Sequence, residues 1–268
     1  MQASLSVIIP TFNTASMTLR CCRAVLADMP ANTEVIVVDD GSRDETAELL
    51  AREVPAVRVV RLEVNRGFAT AANAGGGVAG GRVVVLLNSD AIVERGALGA
   101  FVRAFENDPK LGVAGARLLN EDGTPQWSGG QTPTLAWMIG AVSGLGRFAK
   151  VFRRMKPSVG DVDWVSGAAM AFRREVWDEV GPLSERFLFY CQDIDFCLEA
   201  CERGWDVRIV EDARVTHGLG RTIGARNDLK CADLLTWGEA RYGRTWARFA
   251  RVMLATAAAL RRLLQSDS

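Results

Sequence analysis

Apolar residues in the first hundred positions fall into short dense runs, separated by amphipathic or alanine-rich stretches of helical length. LSVIIP (5–10) is an unbroken run closed by proline, which predicts a buried strand, and residues 16–27 follow as a helix. EVIVVDD (34–40) predicts a second strand, and the turn GSRDET leads into a helix ending near Arg52. VRVVRLE (57–63) reads as a third strand, and FATAANAGGGVA (68–79) as a helix weakened by its glycines. RVVVLLNSD (82–90) is the most apolar strand, so it is expected at the centre of a sheet with both faces covered. RGALGAFVRAFEND (95–108) has the spacing of an amphipathic helix. This alternation predicts an α/β fold, doubly wound around a mostly parallel sheet.

Past residue 110 the rhythm changes. GVAGARLL (112–119) predicts a strand and Glu121-Asp122-Gly123 a turn, while residues 126–160 carry no clear pattern. WVSGAAMAFRREVWDEVG (164–181) reads as a strand running into a helix that stops at Gly181. DIDFCLEACERG (193–204) is a second helix ended by glycine, WDVRIVEDARVTH (205–217) supplies one or two strands, and 226–264 is helical. There is no internal repeat and no low-complexity linker, so two halves share one body.

At 268 residues, 49% hydrophobic and 24% charged, the chain is globular and long enough to bury a large core. Basic and acidic residues number 32 each, so no overall field would hold a nucleic acid by its phosphates. Six cysteines (Cys21, Cys22, Cys191, Cys197, Cys201, Cys231) show no CxxC spacing, and free thiols in a reducing cytosol are the simpler account. LSVIIPTFN follows the N-terminus with no charged region or cleavage site, which predicts no signal peptide. No stretch approaches the roughly 18 uninterrupted apolar residues of a spanning helix. The expectation is a cytoplasmic protein, soluble or peripheral at the inner face of the membrane.

The candidate chemistry sits beside the apolar runs. Asp90 ends VVVLLNSDA, Asp193 and Asp195 stand in YCQDIDFC, and His217, the only histidine, follows ARVT. Two carboxylates and one imidazole are a plausible first shell for Mg²⁺ or Mn²⁺, with one carboxylate left for proton transfer. Each has a plainer alternative. Asp90 could cap a helix over AIVERGAL, the two aspartates could favour a helix N-terminus, and a lone histidine is commonly structural. Asp39 and Asp40 end a strand, where a carboxylate can accept from a base N–H or a ribose hydroxyl, though Asp-Gly-Ser is also good turn chemistry. The glycines of NRGFATAANAGGGVAGG lie within and after a helix, the wrong order for a dinucleotide fingerprint. Gly67 is instead expected to let the chain pass a ligand, and Asn73 to contact a diphosphate or hold a loop.

Taken in order, Asp39-Asp40-Gly41-Ser42, Asn65-Arg66-Gly67-Phe68 with Asn73, Asn88-Ser89-Asp90-Ala91, Trp164-Val165-Ser166-Gly167-Ala168, Glu185-Arg186-Phe187, Asp193-Ile194-Asp195 and His217 resemble glycosyltransferase family 2. The rhamnosyltransferase-like members are the subgroup that the pattern is most similar to, over about residues 5–220. The resemblance implies a GT-A fold in residues 1–225, with a Rossmann-like nucleotide-binding half (about 1–110) joined to an acceptor-binding half (111–225), and 226–268 as a helical extension. It implies an inverting, metal-dependent transfer from a nucleotide-diphosphate sugar, dTDP-rhamnose or a UDP-sugar, to a hydroxyl of a glycan or lipid-linked acceptor. By position it implies Asp193 as general base and Asp90 and His217 as ligands of Mg²⁺ or Mn²⁺. Pro10, Thr11, Asp39, Asp40, Gly67, Asn73, Asn88 and Ser89 are implied at the nucleotide, and Trp164, Gly167, Ala168 and Asp195 at the acceptor and donor sugar.

Three residues depart from the family's pattern. Asn88 replaces the first carboxylate of the DxD element, Gln192 stands where the family often has glutamate, and Ser184 replaces an aspartate. With Gln192 uncharged, Asp193 is expected to lose one cause of a raised pKa. The aromatic and basic residues of 133–156, and the end 244–264, could lie on a membrane surface. A core helix or a homodimer surface is the commoner use of such segments. Two alternatives remain open: a catalytically degenerate nucleotide- or glycan-binding protein, and a nucleotidyltransferase, for which PTFNTAS lacks the glycine- and basic-rich phosphate loop.

Overall fold

The computed structural model describes residues 4–132, 159–188, 190–218 and 227–266. The chain begins β1 (Leu5–Thr11), α1 (Ala15–Asp28), β2 (Thr33–Asp39), α2 (Thr46–Glu53), β3 (Arg58–Arg61), α3 (Phe68–Val78), β4 (Val83–Leu87). It continues with β5 (Ala91–Val93) and α4 (Ala97–Asn107). Then come β6 (Leu111–Leu119), β7 (Gly129–Gly130), β8 (Gly160–Asp161), β9 (Trp164–Val165), β10 (Ala169–Arg173), α5 (Arg174–Val180), α6 (Gln192–Glu202), β11 (Asp206–His217) and α7 (Asn227–Ser266).

One sheet runs in the order β3-β2-β1-β4-β10-β6-β11-β5, with β8 also on β11, and β7 and β9 form a separate pair. β3, β2, β1, β4, β6 and β11 point one way, and β10, β5 and β8 run against them. The mostly parallel α/β sheet expected from the sequence is therefore observed. Every residue of β1 and β4 is buried, and successive side chains feed opposite layers. Val7 and Ile9 join Val83, Val85 and Leu87 against α1 and α4, whereas Ile8 joins Val84 and Leu86 against α3, α5, α6 and α7.

The glycines of α3 fill a packing role. A Cβ on Gly75 would lie 2.4 Å from Ile8 Cγ2, and one on Gly76 2.5 Å from the Trp177 ring. Gly75 lets α3 sit directly on β1 and Gly76 lets it take the Trp177 ring of α5, so their cost in helix propensity is offset by close packing.

Two boundaries differ from expectation. The strand expected over 82–90 stops at Leu87, and residues 91–93 form β5, paired antiparallel to β11 with Ala91 opposite His217. Asp90 is therefore no helix cap: three residues are too few for a periodic signal, and pairing with a strand over a hundred residues later decided their state. The run 164–181 is not one strand entering a helix but β9 and β10 in different sheets, broken at Ser166–Ala168, before α5. Of the one or two strands expected over 205–217, one forms, β11 (Asp206–His217), whose register shifts between Val210 and Arg214.

α7 bends at Gly243 (φ 86°), and the Trp246 ring comes to lie against Gly238. Its first part is built into the body, with Trp237 fully buried. Among the described residues no helix is long and apolar enough to cross a membrane. The stretch 133–156, expected as an interfacial segment, lies outside the described residues.

Candidate active site

The order β3-β2-β1-β4 reverses direction of winding at β1, so the carboxyl ends of β1 and β4 flank a crevice, the position at which open α/β sheets bind ligands. β4 pairs with β1 only as far as Ile8–Leu86, and beyond it β1 has β2 alone as a neighbour through Pro10 and Thr11. Thr11 Oγ1 hydrogen-bonds Thr14 and Thr18, and Thr14 Oγ1 lies 3.2 Å from Ser89 Oγ, joining the two banks of the crevice.

At the end of β2, Asp39 Oδ1 accepts the Ser42 N–H at 2.8 Å. Its Oδ2 is buried with no hydrogen-bond donor, and Arg61 Nε stands 3.5 Å away. A buried, under-satisfied carboxylate oxygen at this place fits a ligand N–H. Asp40 is different: Oδ1 accepts from Arg66 N and Oδ2 from Gly67 N, both at 2.8 Å, so it pins the NRG loop. Burial raises the Asp40 pKa, against the pull of those two N–H groups. Gly41 (φ 72°) turns the chain where a Cβ would lie 2.8 Å from the Val64 carbonyl carbon, so only glycine closes this corner. Asn73 holds a loop: its NH₂ donates to Leu183 O and Glu185 Oε1 and its Oδ1 accepts from Leu183 N, leaving no part of the amide for a diphosphate.

Beyond β4, His217 Nε2 lies 3.3 Å from Asp90 Oδ1 and 3.1 Å from Asn88 Nδ2. Antiparallel pairing of β5 with the end of β11 brings Asp90 and His217 together. Among the described residues no three of His, Cys, Asp and Glu converge. The donor set at this point is one carboxylate, one imidazole and the amide of Asn88. A hard carboxylate oxygen with an imidazole nitrogen suits Mn²⁺ or Mg²⁺, and 3.3 Å is close to the separation of about 3 Å between neighbouring ligands of an octahedral ion.

Asn88 N donates to Ala168 O at 3.0 Å, and Gly167 N donates to Asp193 Oδ2 at 2.8 Å. The 166–168 break between β9 and β10 thus bridges the two acidic sites. Asp193 stands in the first turn of α6 and is half-buried. Burial raises its pKa, against hydrogen bonds from Gly167 and Ile194 N–H. No neighbouring carboxylate contributes, as the Gln192 substitution led one to expect, yet burial alone suffices. Cys191, just before, sits at φ 74°, a left-handed conformation costly for a non-glycine residue and a strained joint beside the site. Asp195, expected at the sugar, is held instead by Arg186 Nη2 at 2.9 Å, so one aspartate faces the bridge and the other meets the Glu-Arg-Phe loop. Burial raises the pKa of Asp195 also, with Arg186 opposing.

Trp164, expected at the sugar, is 7% exposed and its indole N–H is taken by Gln131 O. Trp127 is the more open of the two, 36% exposed and packed edge-on against Trp164 with 5.3 Å between ring centroids. Gln126, whose amide bonds both His217 Nδ1 and the His217 carbonyl, went unnoticed in the sequence because an uncharged loop residue carries no motif.

The sequence matches glycosyl transferase family 2 over residues 6–181. It is 29% identical over 222 residues to an N-acetylglucosaminyl-diphospho-decaprenol L-rhamnosyltransferase of Mycobacterium tuberculosis, spanning 74% of this chain and 72% of that protein. Among solved structures, the mannosyltransferase PcManGT from Pyrobaculum calidifontis, in complex with GDP-Man and Mn²⁺, superposes with a TM-score of 0.62 at 18% identity, over 97% of this chain and 75% of its own. GalNAc-T7 with UDP, GalNAc and Mn²⁺ gives a TM-score of 0.61 at 19% identity, over 81% of this chain but only 44% of its own length. Likeness at that identity speaks for the GT-A fold alone. With the family matched from β1 to the end of α5, this chain belongs to glycosyl transferase family 2 and is a glycosyltransferase.

Proposed function

We propose that the protein is an inverting, metal-dependent glycosyltransferase, moving a sugar from a nucleoside-diphosphate sugar to a hydroxyl of a glycan or lipid-linked acceptor. The observation that carries it is the bridge just described: Gly167 N–H holds Asp193, and the adjacent Ala168 carbonyl holds the main chain of Asn88, whose side chain meets His217 beside Asp90. Asp39 and the β1–β4 crevice would take the nucleoside, and Asp90 and His217 the divalent cation that neutralises the diphosphate. The remaining coordination positions would fall to phosphate oxygens and water.

The acceptor hydroxyl attacks the anomeric carbon from the face opposite the phosphate. Its proton passes to an Asp193 carboxylate oxygen as the new carbon–oxygen bond forms. The bond to the phosphate breaks, and the nucleoside diphosphate departs with the electron pair. A single displacement inverts the anomeric centre. A base raised above the ordinary aspartate pKa by burial is better matched to a hydroxyl proton, and general-base assistance is worth about 10²–10⁴ in rate. The M. tuberculosis relative's name gives a rhamnosyl group and a decaprenyl-diphosphate-linked acceptor, so a prenyl-diphosphate-linked acceptor with dTDP-rhamnose is the first pair to try, with UDP-sugars next.

The test is a panel of nucleotide sugars with Mn²⁺ and diphosphate release as readout, run on the wild-type protein and on Asp193→Asn. Turnover in wild type with a loss of at least about 10² in the variant is expected. Equal activity in the two would remove Asp193 as the base. Nucleotide binding without turnover of any donor would favour the degenerate binding protein instead.

A further inference from the structure

We propose that Gln126 is the positioning residue that fixes the tautomer of His217, so that Nε2 turns its lone pair toward Asp90. The inference rests on the reading of Asp90 and His217 as the protein ligands of the cation. Gln126 lies between β6 and β7, 91 residues from His217, yet grips it twice: Oε1 lies 2.9 Å from Nδ1, and Nε2 donates to the His217 main-chain carbonyl at 3.1 Å.

The orientation of the carboxamide follows from its partners. A main-chain carbonyl only accepts, so the NH₂ end must face it. Gln126 Nε2 also donates to Asn120 Oδ1 at 2.9 Å, and Asn120 Nδ2 in turn donates to Thr124 Oγ1, whose hydroxyl donates to Asp122 Oδ1. Turning the Gln126 amide over would set its oxygen against two acceptor oxygens. With Oε1 facing the ring, the bond to Nδ1 forms only if Nδ1 carries the proton.

The neutral imidazole then has its lone pair on Nε2. That atom accepts from Asn88 Nδ2 and looks at Asp90 Oδ1, 3.3 Å away. Two electron-rich atoms at this spacing repel, and a cation shared by both relieves the repulsion. An imidazole ligand held by a hydrogen bond on its other nitrogen is the recurrent way to orient a metal-binding histidine. The chain from Asp122 through Thr124, Asn120 and Gln126 therefore ties the turn after β6 to the cation site.

His217 is the only histidine, so ¹⁵N-histidine labelling of the whole chain reports one ring. In mildly alkaline buffer without metal, the wild-type ring is expected as the Nδ1–H tautomer. Gln126→Met, which keeps the length of the side chain but has no acceptor, is expected to give a mixture of tautomers and to weaken Mn²⁺ binding about 10–100-fold by calorimetry. Gln126→Glu, which keeps an acceptor for Nδ1 but gives up the donor to the His217 carbonyl and Asn120 Oδ1, is expected to keep the tautomer and to bind Mn²⁺ more tightly than Gln126→Met. An Nε2–H ring in the wild type, or a Gln126→Met protein with wild-type tautomer and Mn²⁺ affinity, overturns the proposal. His217→Ala that binds Mn²⁺ as well as wild type overturns the ligand reading beneath it, and is told apart because the tautomer measurements need no metal.

Discussion

Asp233, on α7, accepts the main-chain N–H of Leu188 at 2.9 Å through Oδ1 while Oδ2 takes that of Tyr190 at 2.8 Å. The carboxylate is 2% exposed and clamps the segment that runs from the Glu-Arg-Phe loop into the Asp193 helix. The C-terminal helix thus holds the approach to α6. Removing a buried charged acceptor leaves two N–H groups unsatisfied, so Asp233→Ala is expected to cost about 1–3 kcal/mol in denaturant unfolding. Its KM for the acceptor should rise more than its KM for the donor. A donor-only effect would disconnect the clamp from acceptor binding.

Asp193→Asn keeps an oxygen for the Gly167 N–H but no base. Beyond its slow turnover, its stability is informative. The folded pKa of Asp193 is raised, so its stabilising contribution is fully present below the ordinary aspartate value and is lost as pH rises through the folded value. The asparagine has no second oxygen for the Ile194 N–H, so at neutral pH relief of the buried charge should offset that loss and leave the variant within about 1 kcal/mol of wild type. Because the folded pKa is raised, the acid limb of the wild-type pH–rate profile should lie above the usual aspartate range and vanish from whatever activity the variant retains.

Asp39 Oδ2 lacks a hydrogen-bond donor, and reaching it requires the exposed Arg61 side chain to shift. A bond from a base N–H to this carboxylate is worth about 1.5–3 kcal/mol, so Asp39→Asn should weaken UDP or dTDP binding about 10–100-fold in calorimetry. An unchanged Kd for both would place the base elsewhere.

Chelation should abolish turnover, and Mn²⁺ should restore it to wild type but not to Asp90→Ala. Asn88→Asp returns the missing carboxylate to a site that holds one. A third charged or imidazole donor is expected to tighten Mn²⁺ about tenfold. It should also lower the Tm of the metal-free protein, because a carboxylate would then face Nε2 and Asp90 without a cation. Weaker Mn²⁺ binding in this variant would place Asn88 outside the coordination sphere.

The strands were legible because β1, β2 and β4 are so apolar that only a sheet covered on both faces can use them, and Asp39, Asp40 and Asp90 stood out because they follow the ends of such runs. Asp193 and Asp195, two apart on a helix, had to take different partners, and they do. β5 was illegible: a three-residue strand has no period, and its partner is the far end of β11. Asn73 and Asp40 looked like ligand contacts, yet their polar atoms meet main-chain groups of neighbouring loops.

By itself the sequence determined the kind of chemistry: carboxylates, one imidazole and glycine corners placed after apolar runs, in an order that resembles one family. Only the tertiary structure decided which polar groups remain for a ligand and which are consumed in holding loops. The reason is that each such group is satisfied by a donor or acceptor tens of residues away. The registers of β10 and β11, and the bridge at Gly167–Ala168, decide those meetings, and no local pattern in the chain encodes them.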